Sequence, residues 1–431
     1  MKKAAFYTLG CKVNQYETEA MSELFSNAGY EICDFNSYAD VYIINTCTVT
    51  AMSDRKSRQI IRRAKKHNPN AIVIVAGCYA QTNPDALLNL DEVNLIIGNT
   101  GRKKIVELCE SIGCNSHIST VDDIMKQHDF ENIPITSYHE RTRAYIKIQE
   151  GCNQFCSYCI IPYARGPIRS REMEDVLEQT KILSQNGYRE VIYTGIHVAS
   201  YGLDTGRPLL ADLLLKADKL EGIKRIRLSS IEPMTLNDEF VNSIKDCKRL
   251  CHHFHLSLQS GCDETLKRMN RKYTTAQYEQ IVLGLRKNYP DVAITTDIMT
   301  GFPGETDEEF EKTVEFVKKI GFADAHIFQY SQREGTVAAK RPDQISPEIK
   351  EKRSKILISL CEKSRDEFLS TFVGKNLEVL FEQRRNDGYF EGKTSNYITV
   401  AVKCDDDLSG LFKNVLIERI KNGVAFGKIT D

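Results

Sequence analysis

Short apolar segments that alternate with helical ones constrain the fold of this chain more than any other feature. The first third contains three such segments, at residues 4–9, 41–45 and 71–76, and the last reads Ala-Ile-Val-Ile-Val-Ala. Near-continuous apolar strands separated by helices indicate a parallel sheet that is covered on both faces. We therefore predict an open parallel α/β domain over residues 1–114. Its first helix is expected to have Asn14 as its N-cap, with Glu17 in the capping-box position, and to end just before Gly29.

The same alternation returns, with more units, over residues 141–370. The sequence predicts six strands there, at residues 143–149, 190–194, 225–229, 253–258, 293–299 and 325–330. The helix predicted at 174–186 ends before Gly187. The helix predicted at 307–320 has Thr306 as its N-cap, Glu309 in the capping-box position and Gly321 as its terminator. Six strand–helix units predict a partial (β/α)6 barrel with its active site at the carboxyl ends of the strands.

The two remaining parts of the chain have different patterns. Residues 115–140 are polar and weakly patterned, and we predict a linker with one or two small elements. Residues 371–431 contain five short strands separated by Gly, Asn and Asp turns, which is typical of a small antiparallel β-barrel. A chain of 431 residues is too long for one core, so several domains are expected.

Composition favours a cytoplasmic protein without a membrane segment. No stretch approaches the roughly 18 apolar residues of a membrane span, and the first apolar run is too short and broken for a secretory signal. In a reducing cytosol, cysteines that form motifs serve metal or redox chemistry more often than disulfides. The 14 cysteines therefore direct attention to their spacing.

Three cysteines follow the first strand of the predicted barrel at C-x3-C-x2-C spacing, as Cys152, Cys156 and Cys159. Four thiolates would complete a tetrahedral zinc site or a 4Fe-4S cluster, whereas three leave one iron open to bind a small molecule. We expect an iron–sulfur cluster here. The alternative is a zinc site completed by a distant residue.

A second trio follows the three predicted strands of the first domain, as Cys11, Cys47 and Cys78. Because the carboxyl ends of neighbouring parallel strands lie at one edge of a sheet, we expect these thiols to converge there. We interpret them as a second three-thiolate cluster site. The alternative is that they are three buried cysteines that pack as small hydrophobic residues.

Two further features of the sequence are candidate binding sites. Residues 53–67 carry seven Lys and Arg residues against one acidic residue, so on a helix they would form a positive face that could bind phosphates. The alternative is an ordinary surface helix whose charges are solvated. Cys247 and Cys251, followed by His252 and His253, could form a third metal site. The alternation of His253 and His255, however, is typical of a strand.

Several motifs together resemble the methylthiotransferases, a family of radical S-adenosylmethionine (SAM) enzymes with an N-terminal cluster domain, a radical SAM core and a C-terminal TRAM domain. They are TLGCKVNQYETE at residues 8–19, GCNQFCSYCIIPYARGPIRSR at 151–171, LSSIEP at 228–233, LSLQSGCDETLKRMNRKYT at 256–274 and TTDIMTGFPGET at 295–306. The first motif resembles the branch that acts on threonylcarbamoyladenosine in tRNA. Sister branches act on isopentenyladenosine in tRNA or on an aspartate of a ribosomal protein.

This resemblance implies two 4Fe-4S clusters, one bound by each cysteine trio, and two SAM molecules per turnover. One cluster would cleave SAM to a radical that removes hydrogen from carbon 2 of the base at tRNA position 37, and the other would hold the sulfur.

The residues expected to line the SAM pocket are Tyr158, Gly195, Glu232, Gln259 and Asp297. The expected partners are a tRNA anticodon stem-loop, an electron donor such as flavodoxin or ferredoxin, and a sulfur donor. Residues expected to bind RNA phosphates, from the basic segment, are Arg62, Arg63, Lys65 and Lys66. Alternative functions are a radical SAM methyltransferase without sulfur insertion and a zinc-stabilised RNA-binding protein.

Overall fold

The N-terminal domain is a six-stranded sheet in which every neighbouring pair is parallel, as predicted. The computed structural model describes residues 1–138 and 142–430. The sheet order is β2-β1-β3-β4-β5-β6. The strands are β1 Lys3–Thr8, β2 Glu31–Cys33, β3 Val41–Thr46, β4 Ile72–Gly77, β5 Leu95–Ile97 and β6 Ile118–Ser119. The helices are α1 Lys12–Asn27, α2 Ala51–His67, α3 Cys78–Thr82, α4 Pro84–Leu88 and α5 Ile105–Ser111.

Both faces of this sheet are covered, which explains why its central strands are apolar throughout. Ile44 of β3 and Val75 of β4 pack with Ile61 of α2 in one core. The alternate residues of the same strands, among them Ile43, pack with Phe25 of α1 in a second core. Because successive side chains of a strand point to opposite faces, the apolar side chains of β3 and β4 alternate between the two cores.

The predicted start of the first helix is wrong. The N-cap of helix α1 is Cys11, three residues earlier than predicted and without a side-chain cap, and the helix begins at Lys12. Asn14 and Glu17 are buried inside the helix, where tertiary partners occupy their side chains. Gly29, with φ +87°, follows the helix end as expected.

The central domain is the predicted partial barrel. Its strands are β7 Arg143–Glu150, β8 Arg169–Ser170, β9 Glu190–Gly195, β10 Arg225–Leu228, β11 His253–His255, β12 Ala293–Thr300 and β13 Asp324–Gln329. They form the sheets β10-β9-β7-β8 and β11-β12-β13. Parallel bridges from Ile226 to Leu250 and from Ile231 to Leu256 join the two sheets, so six parallel strands curve into an incomplete barrel. The short β8 pairs antiparallel with β7 at the edge.

Helices cover the outside of this barrel. They are α7 Met173–Gln185, α8 Leu210–Ala217, α9 Asp238–Ile244, α10 Asp263–Arg268, α11 Thr275–Asn288, α12 Asp307–Ile320 and α13 Pro347–Ser370, whereas the short α6 Ile161–Arg165 packs against α3 of the first domain. Helix α12 matches its prediction: Thr306 and Glu309 form a capping box, and Gly321 ends the helix in the left-handed conformation. Local signals decided these ends because the capping residues bond within their own turn.

The C-terminal domain is a closed five-stranded barrel of order β14-β15-β16-β18-β17. Its strands are β14 Asn376–Arg384, β15 Tyr389–Thr394, β16 Thr399–Lys403, β17 Phe412–Lys421 and β18 Val424–Ile429. The prediction that it is antiparallel holds for four of the five pairs, but β16 and β18 are parallel. An odd number of strands cannot alternate in direction around a closed ring, so one neighbouring pair must be parallel.

The predicted linker contains one strand of the first sheet. Strand β6 lies within residues 115–140 and pairs with β5. The predicted boundary between residues 140 and 141 and the final residue 431 lie outside the described residues. The other domain boundaries stay predictions. In the part of the chain that the structure describes, no helix combines the length and apolarity needed to span a bilayer.

Candidate active site

The first cysteine trio lies at the carboxyl ends of three adjacent strands. Cys11 follows β1 at the start of α1, Cys47 follows β3, and Cys78 is the first residue of α3 after β4. Gly10 shows how closely two of the turns approach, because a Cβ built on it would lie 2.9 Å from Cys47 Cβ and 3.2 Å from Cys47 Sγ. With φ +108°, this position also favours glycine. The expected convergence of these turns at one sheet edge is therefore observed.

Asn14 fixes the turns that carry Cys11 and Cys47. Its side-chain amide donates to the carbonyl oxygens of Leu9, at 2.7 Å, and Thr46, at 3.0 Å. These residues end β1 and β3, next to the cysteine turns. The Asn14 side chain therefore connects the two strand ends instead of capping the helix as the sequence predicted.

An arginine of the central domain completes the surroundings of this trio. Arg165, at the end of α6, is fully buried, and its Nε lies 3.1 Å from Cys78 Sγ. A second guanidinium nitrogen donates to Asn14 Oδ1 at 2.5 Å. Burial raises the pKa of Cys78 to about 12, while the Arg165 charge opposes that rise. A thiol with such a pKa is held as a thiolate at neutral pH only by a stronger cation, and a metal ion is one.

Glu17 is the centre of a buried ionic network that joins the two domains. Its carboxylate contacts Arg102 of its own domain at 2.5 Å, and Arg165 at 2.6 Å and Lys147 at 3.0 Å of the central domain. Glu150 also contacts Lys147 and Arg165, at 2.8 and 3.0 Å. Burial alone would raise the pKa of Glu17, but Arg102, Arg165 and Lys147 hold it well below its usual range. The domains are thus held together by ions that have little contact with water.

The second cysteine trio occupies the loop after β7, at the carboxyl end of the first barrel strand. Gly151, with φ +75°, begins the loop, and a Cβ there would lie 1.8 Å from the carbonyl oxygen of Pro167. The amide of Cys152 donates to the Gly166 carbonyl at 3.0 Å, and the amide of Cys159 donates to the Cys156 carbonyl at 2.9 Å. The backbone therefore folds the three cysteines into one compact turn.

The polar surroundings of this trio include an arginine from a later part of the barrel domain, Arg271. Arg271 Nη1 lies 3.4 Å from Cys156 Sγ, and its Nη2 lies 2.8 Å from Glu232. Burial raises the pKa of Cys152 to about 11 and that of Cys159 to about 12. As at the first trio, buried thiols lie beside one arginine, and this donor set fits a three-thiolate cluster site.

Family models match all three domains. A model described as "Uncharacterized protein family UPF0004" matches residues 3–98, the radical SAM superfamily matches residues 146–317, and the TRAM domain matches residues 370–430. The chain is 42% identical over 99% of its length to threonylcarbamoyladenosine tRNA methylthiotransferase MtaB of Bacillus subtilis, covering 96% of that protein. It belongs to the radical SAM methylthiotransferase family. The resemblance stated from the motifs is confirmed, and the family's radical SAM core implies a 4Fe-4S cluster and SAM.

Other methylthiotransferases and two solved structures are also similar. The MtaB protein of Aquifex aeolicus is 42% identical over 92% of this chain and 97% of its own length. The tRNA-2-methylthio-N(6)-dimethylallyladenosine synthase of Acetivibrio thermocellus is 36% identical over 98% of this chain and 90% of its own. The radical SAM methyltransferase TsrM of Kitasatospora setae has a TM-score of 0.55 at 17% identity, over 79% of this chain and 77% of its own. The radical SAM enzyme OxsB has a TM-score of 0.51 at 10% identity, and the match covers 86% of this chain and 56% of OxsB. These structures support the fold alone.

Two of the five residues predicted to line the SAM pocket of this methylthiotransferase lie beside the second trio. Tyr158 is within the trio itself and packs edge-on against Phe302, with ring centroids 6.4 Å apart. Glu232 pairs with Arg271, which reaches Cys156. A tyrosine ring and a carboxylate therefore lie beside the second cysteine trio.

Of the other three SAM-pocket candidates, Gly195 and Gln259 lie at or after the carboxyl ends of barrel strands, whereas Asp297 lies in the middle of β12. Gly195 ends β9 so close to Gln149 that a Cβ would meet its side chain at 2.9 Å. Gln259 has φ +66°, which is strained for a residue with a side chain, and its Oε1 is buried without a hydrogen-bond partner among the described residues. Asp297 instead contacts His255 and His326, at 3.1 and 3.4 Å, and lines a separate cavity.

The four candidate phosphate-binding residues lie at the far end of α2 from Cys47. Helix α2 starts at Ala51, so Arg62 lies about 17 Å further along its axis. Lys65 donates to the carbonyl of Ala71 at 2.7 Å, just before β4 begins, whereas Arg62, Arg63 and Lys66 are exposed. The basic residues nearer the trio are Arg55 and Lys56, both exposed.

The remaining metal-site candidate has other partners. Cys247 and Cys251 are buried, His252 pairs with Asp291, and His253 stacks on Tyr397 with ring centroids 4.6 Å apart. Among residues 1–138 and 142–430, no three His, Cys, Asp or Glu side chains have the arrangement that holds a single metal ion. A cubane cluster distributes its thiolates over separate irons, so its ligand geometry is different.

Sequence reasoning missed Arg165, Arg271 and Lys12, the residue after Cys11. Each contacts a group from a distant part of the chain or lies beside it, and the sequence does not show such contacts. All three fall within the motifs at residues 8–19, 151–171 and 256–274, which was a usable signal.

Proposed function

We propose that this methylthiotransferase inserts a methylthio group at carbon 2 of threonylcarbamoyladenosine at tRNA position 37, using two 4Fe-4S clusters and two SAM molecules per turnover. One observation supports the proposal: the first cysteine trio follows three adjacent strands at their carboxyl ends, the second lies in the loop after β7, and a buried ionic network joins the two domains. A plain radical SAM methyltransferase needs no second trio of this kind.

The substrate assignment is supported by the relatives. The proteins named for threonylcarbamoyladenosine are 42% identical to this chain, and the relative named for dimethylallyladenosine is 36% identical. The second substrate is therefore the competing candidate. A tRNA substrate would also place the protein in the cytoplasm.

The residues of the two sites have distinct proposed roles. When bound, the two clusters and SAM would supply the radical chemistry and the sulfur that no side chain provides. Cys152, Cys156 and Cys159 would hold the SAM-cleaving cluster, and Cys11, Cys47 and Cys78 the sulfur-holding one. Tyr158, Gly195, Glu232, Gln259 and Asp297 would line the pocket for SAM.

The chain's cations would stabilise both sites. Arg165 and Arg271 each place a guanidinium beside one thiol, which favours the thiolate over the thiol. The target base would have to leave the stack of the anticodon loop to reach carbon 2. An electron donor such as flavodoxin or ferredoxin, and a sulfur donor, complete the proposed partners.

Mass spectrometry of tRNA nucleosides tests this proposal. The gene is expressed in a host that lacks the 2-methylthio group on threonylcarbamoyladenosine, and we expect that group to appear. Cys11→Ala and Cys152→Ala should each abolish it, whereas Cys404→Ala, outside both trios, should not. Appearance of the group on isopentenyladenosine instead would contradict the substrate. Full activity of Cys11→Ala would contradict the second cluster.

A salt titration tests the proposed contact between α2 and tRNA. Replacing Arg63 and Lys66 by Gln removes two exposed charges far from Cys47, and replacing Arg55 and Lys56 removes two near it. Each phosphate that a variant no longer neutralises should lower the slope of log affinity against log salt by about 0.7. A reduced slope for the Arg63/Lys66 variant supports the predicted residues. A reduction for the Arg55/Lys56 variant alone moves the contact to the end of α2 near Cys47.

A further inference from the structure

A cavity of about 600 Å³ lies where the three domains meet. The N-terminal domain contributes Lys12, which follows Cys11 directly. The central domain contributes strands β11 to β13, including Asp297. The C-terminal barrel closes another side with Lys393 and Tyr397. One cavity is therefore bordered both by a neighbour of the first cysteine trio and by a residue predicted to line the SAM pocket.

The cavity wall has an excess of positive charge. Lys12, Arg365 and Lys393 line it against two carboxylates, Asp297 and Asp324. Both carboxylates have partners: Asp297 contacts two histidines, and Asp324 lies 3.7 Å from Arg365. Lys12 has neither a hydrogen bond nor a carboxylate partner within the described parts of the chain, and it interacts electrostatically with Tyr397. The cavity thus holds a cation whose charge is not matched by a carboxylate.

The nearby positive charges also lower the pKa values of two residues that line the cavity, His253 and Tyr397. Burial, together with Arg227 and other cations that include Lys12, lowers the pKa of His253 well below its usual value. Burial alone would raise the pKa of the Tyr397 hydroxyl, but Arg143, Lys12 and Lys393 lower it. His253 is only 6% exposed, and its Nδ1 has no hydrogen-bond partner among the described residues. The cavity therefore offers an unused polar atom as well as an unpaired cation.

We infer that this cavity binds the N6 substituent of the target base, with Lys12 as the counter-ion of a substituent carboxylate. The inference rests on the proposed function and adds the site that recognises its substrate. A threonylcarbamoyl group carries a carboxylate, a hydroxyl and a urea, and the polar lining includes Ser230, Thr295 and Asn396. An isopentenyl group would leave Lys12 without a counter-ion and His253 Nδ1 without a hydrogen-bond partner, which disfavours its binding.

Binding measurements without a reductant test the site apart from catalysis. Full-length, iron-reconstituted enzyme is titrated into fluorescent anticodon stem-loops that carry adenosine, isopentenyladenosine or threonylcarbamoyladenosine at position 37. A charge-assisted contact predicts that the wild type binds the threonylcarbamoyl RNA about tenfold or more tightly than the adenosine RNA. Lys12→Gln and Lys393→Gln should lose most of this preference and keep their affinity for adenosine RNA. Lys403→Gln, an exposed lysine of the same C-terminal barrel, should keep the preference.

Two results would overturn this inference. Equal wild-type affinity for the three RNAs would remove any recognition of the substituent. An undiminished preference in Lys12→Gln would contradict its role as the counter-ion, whatever Lys393→Gln does, even where nucleoside analysis supports the proposed substrate. Methylthiolation of isopentenyladenosine alone would instead contradict the proposed function itself.

Discussion

Replacing Glu17 by Gln should destabilise the contact between the first two domains more than any surface change. The substitution keeps the size of the side chain and removes one negative charge from among Arg102, Arg165 and Lys147. Glu150 still faces two of these cations, while Arg102 is left with Glu131 at 3.5 Å. The Glu17 side chain is only 3% exposed, so water cannot replace the missing charge.

The expected loss is about 3–5 kcal/mol, since breaking a buried ion pair leaves an uncompensated charge. Urea unfolding of metal-free protein, followed by circular dichroism, measures the free energy of the first transition. Glu279→Gln is the control, because its partner Lys319 is 61% exposed and such a pair contributes at most about 1 kcal/mol. If Glu17→Gln lowers the free energy of unfolding by no more than the control does, the ionic network is not the main contact between the two domains.

The same carboxylate gives the contact a pH dependence. Because the folded pKa of Glu17 lies well below its ordinary value of 4.5, its contribution is complete above that value. It is lost as pH falls through the depressed folded pKa. Metal-free wild type should therefore lose stability in acid below about pH 4.5 more steeply than Glu17→Gln. Parallel acid profiles for the two proteins would contradict the shift.

Two further predictions concern the cysteine sites. Gly151→Ala should distort the Cys152 turn and reduce iron binding there, because the new Cβ would lie 1.8 Å from a carbonyl oxygen. Gly187→Ala, with a similar φ but open space around it, should cost only about 1–2 kcal/mol and leave iron content unchanged. Arg165→Gln should lower iron content from about eight to about four per chain by weakening the Cys78 site. Iron analysis after anaerobic reconstitution measures both effects, and unchanged iron in either variant would contradict the role assigned to that residue.

The sequence predicted those features that depend on local or periodic signals. Helix α12 was predicted to the residue because Thr306, Glu309 and Gly321 act within one turn at each end. The parallel sheets followed from apolar strands that are buried on both faces. Convergence of the first cysteine trio followed from strand direction alone.

The start of α1 could not be predicted in the same way. Asn14 and Glu17 have the spacing of a capping motif, but their side chains bind Leu9, Thr46 and three distant cations instead. The role of Lys12 depends on a cavity that exists only after three domains have assembled. Contacts of this kind have no periodicity in the chain and appear only with the tertiary structure.

The ions around Glu17 also limit how the molecule can move. Separating the domains would break the contacts of Glu17 with Arg165 and Lys147 at the same time, although the freed ions would regain their hydration. A hinge between the domains would have to break and remake this whole set of contacts, so the network favours one fixed spacing of the two cysteine-bearing edges. Under the proposed function, the tRNA then contributes the movement by extruding one nucleotide toward that fixed gap.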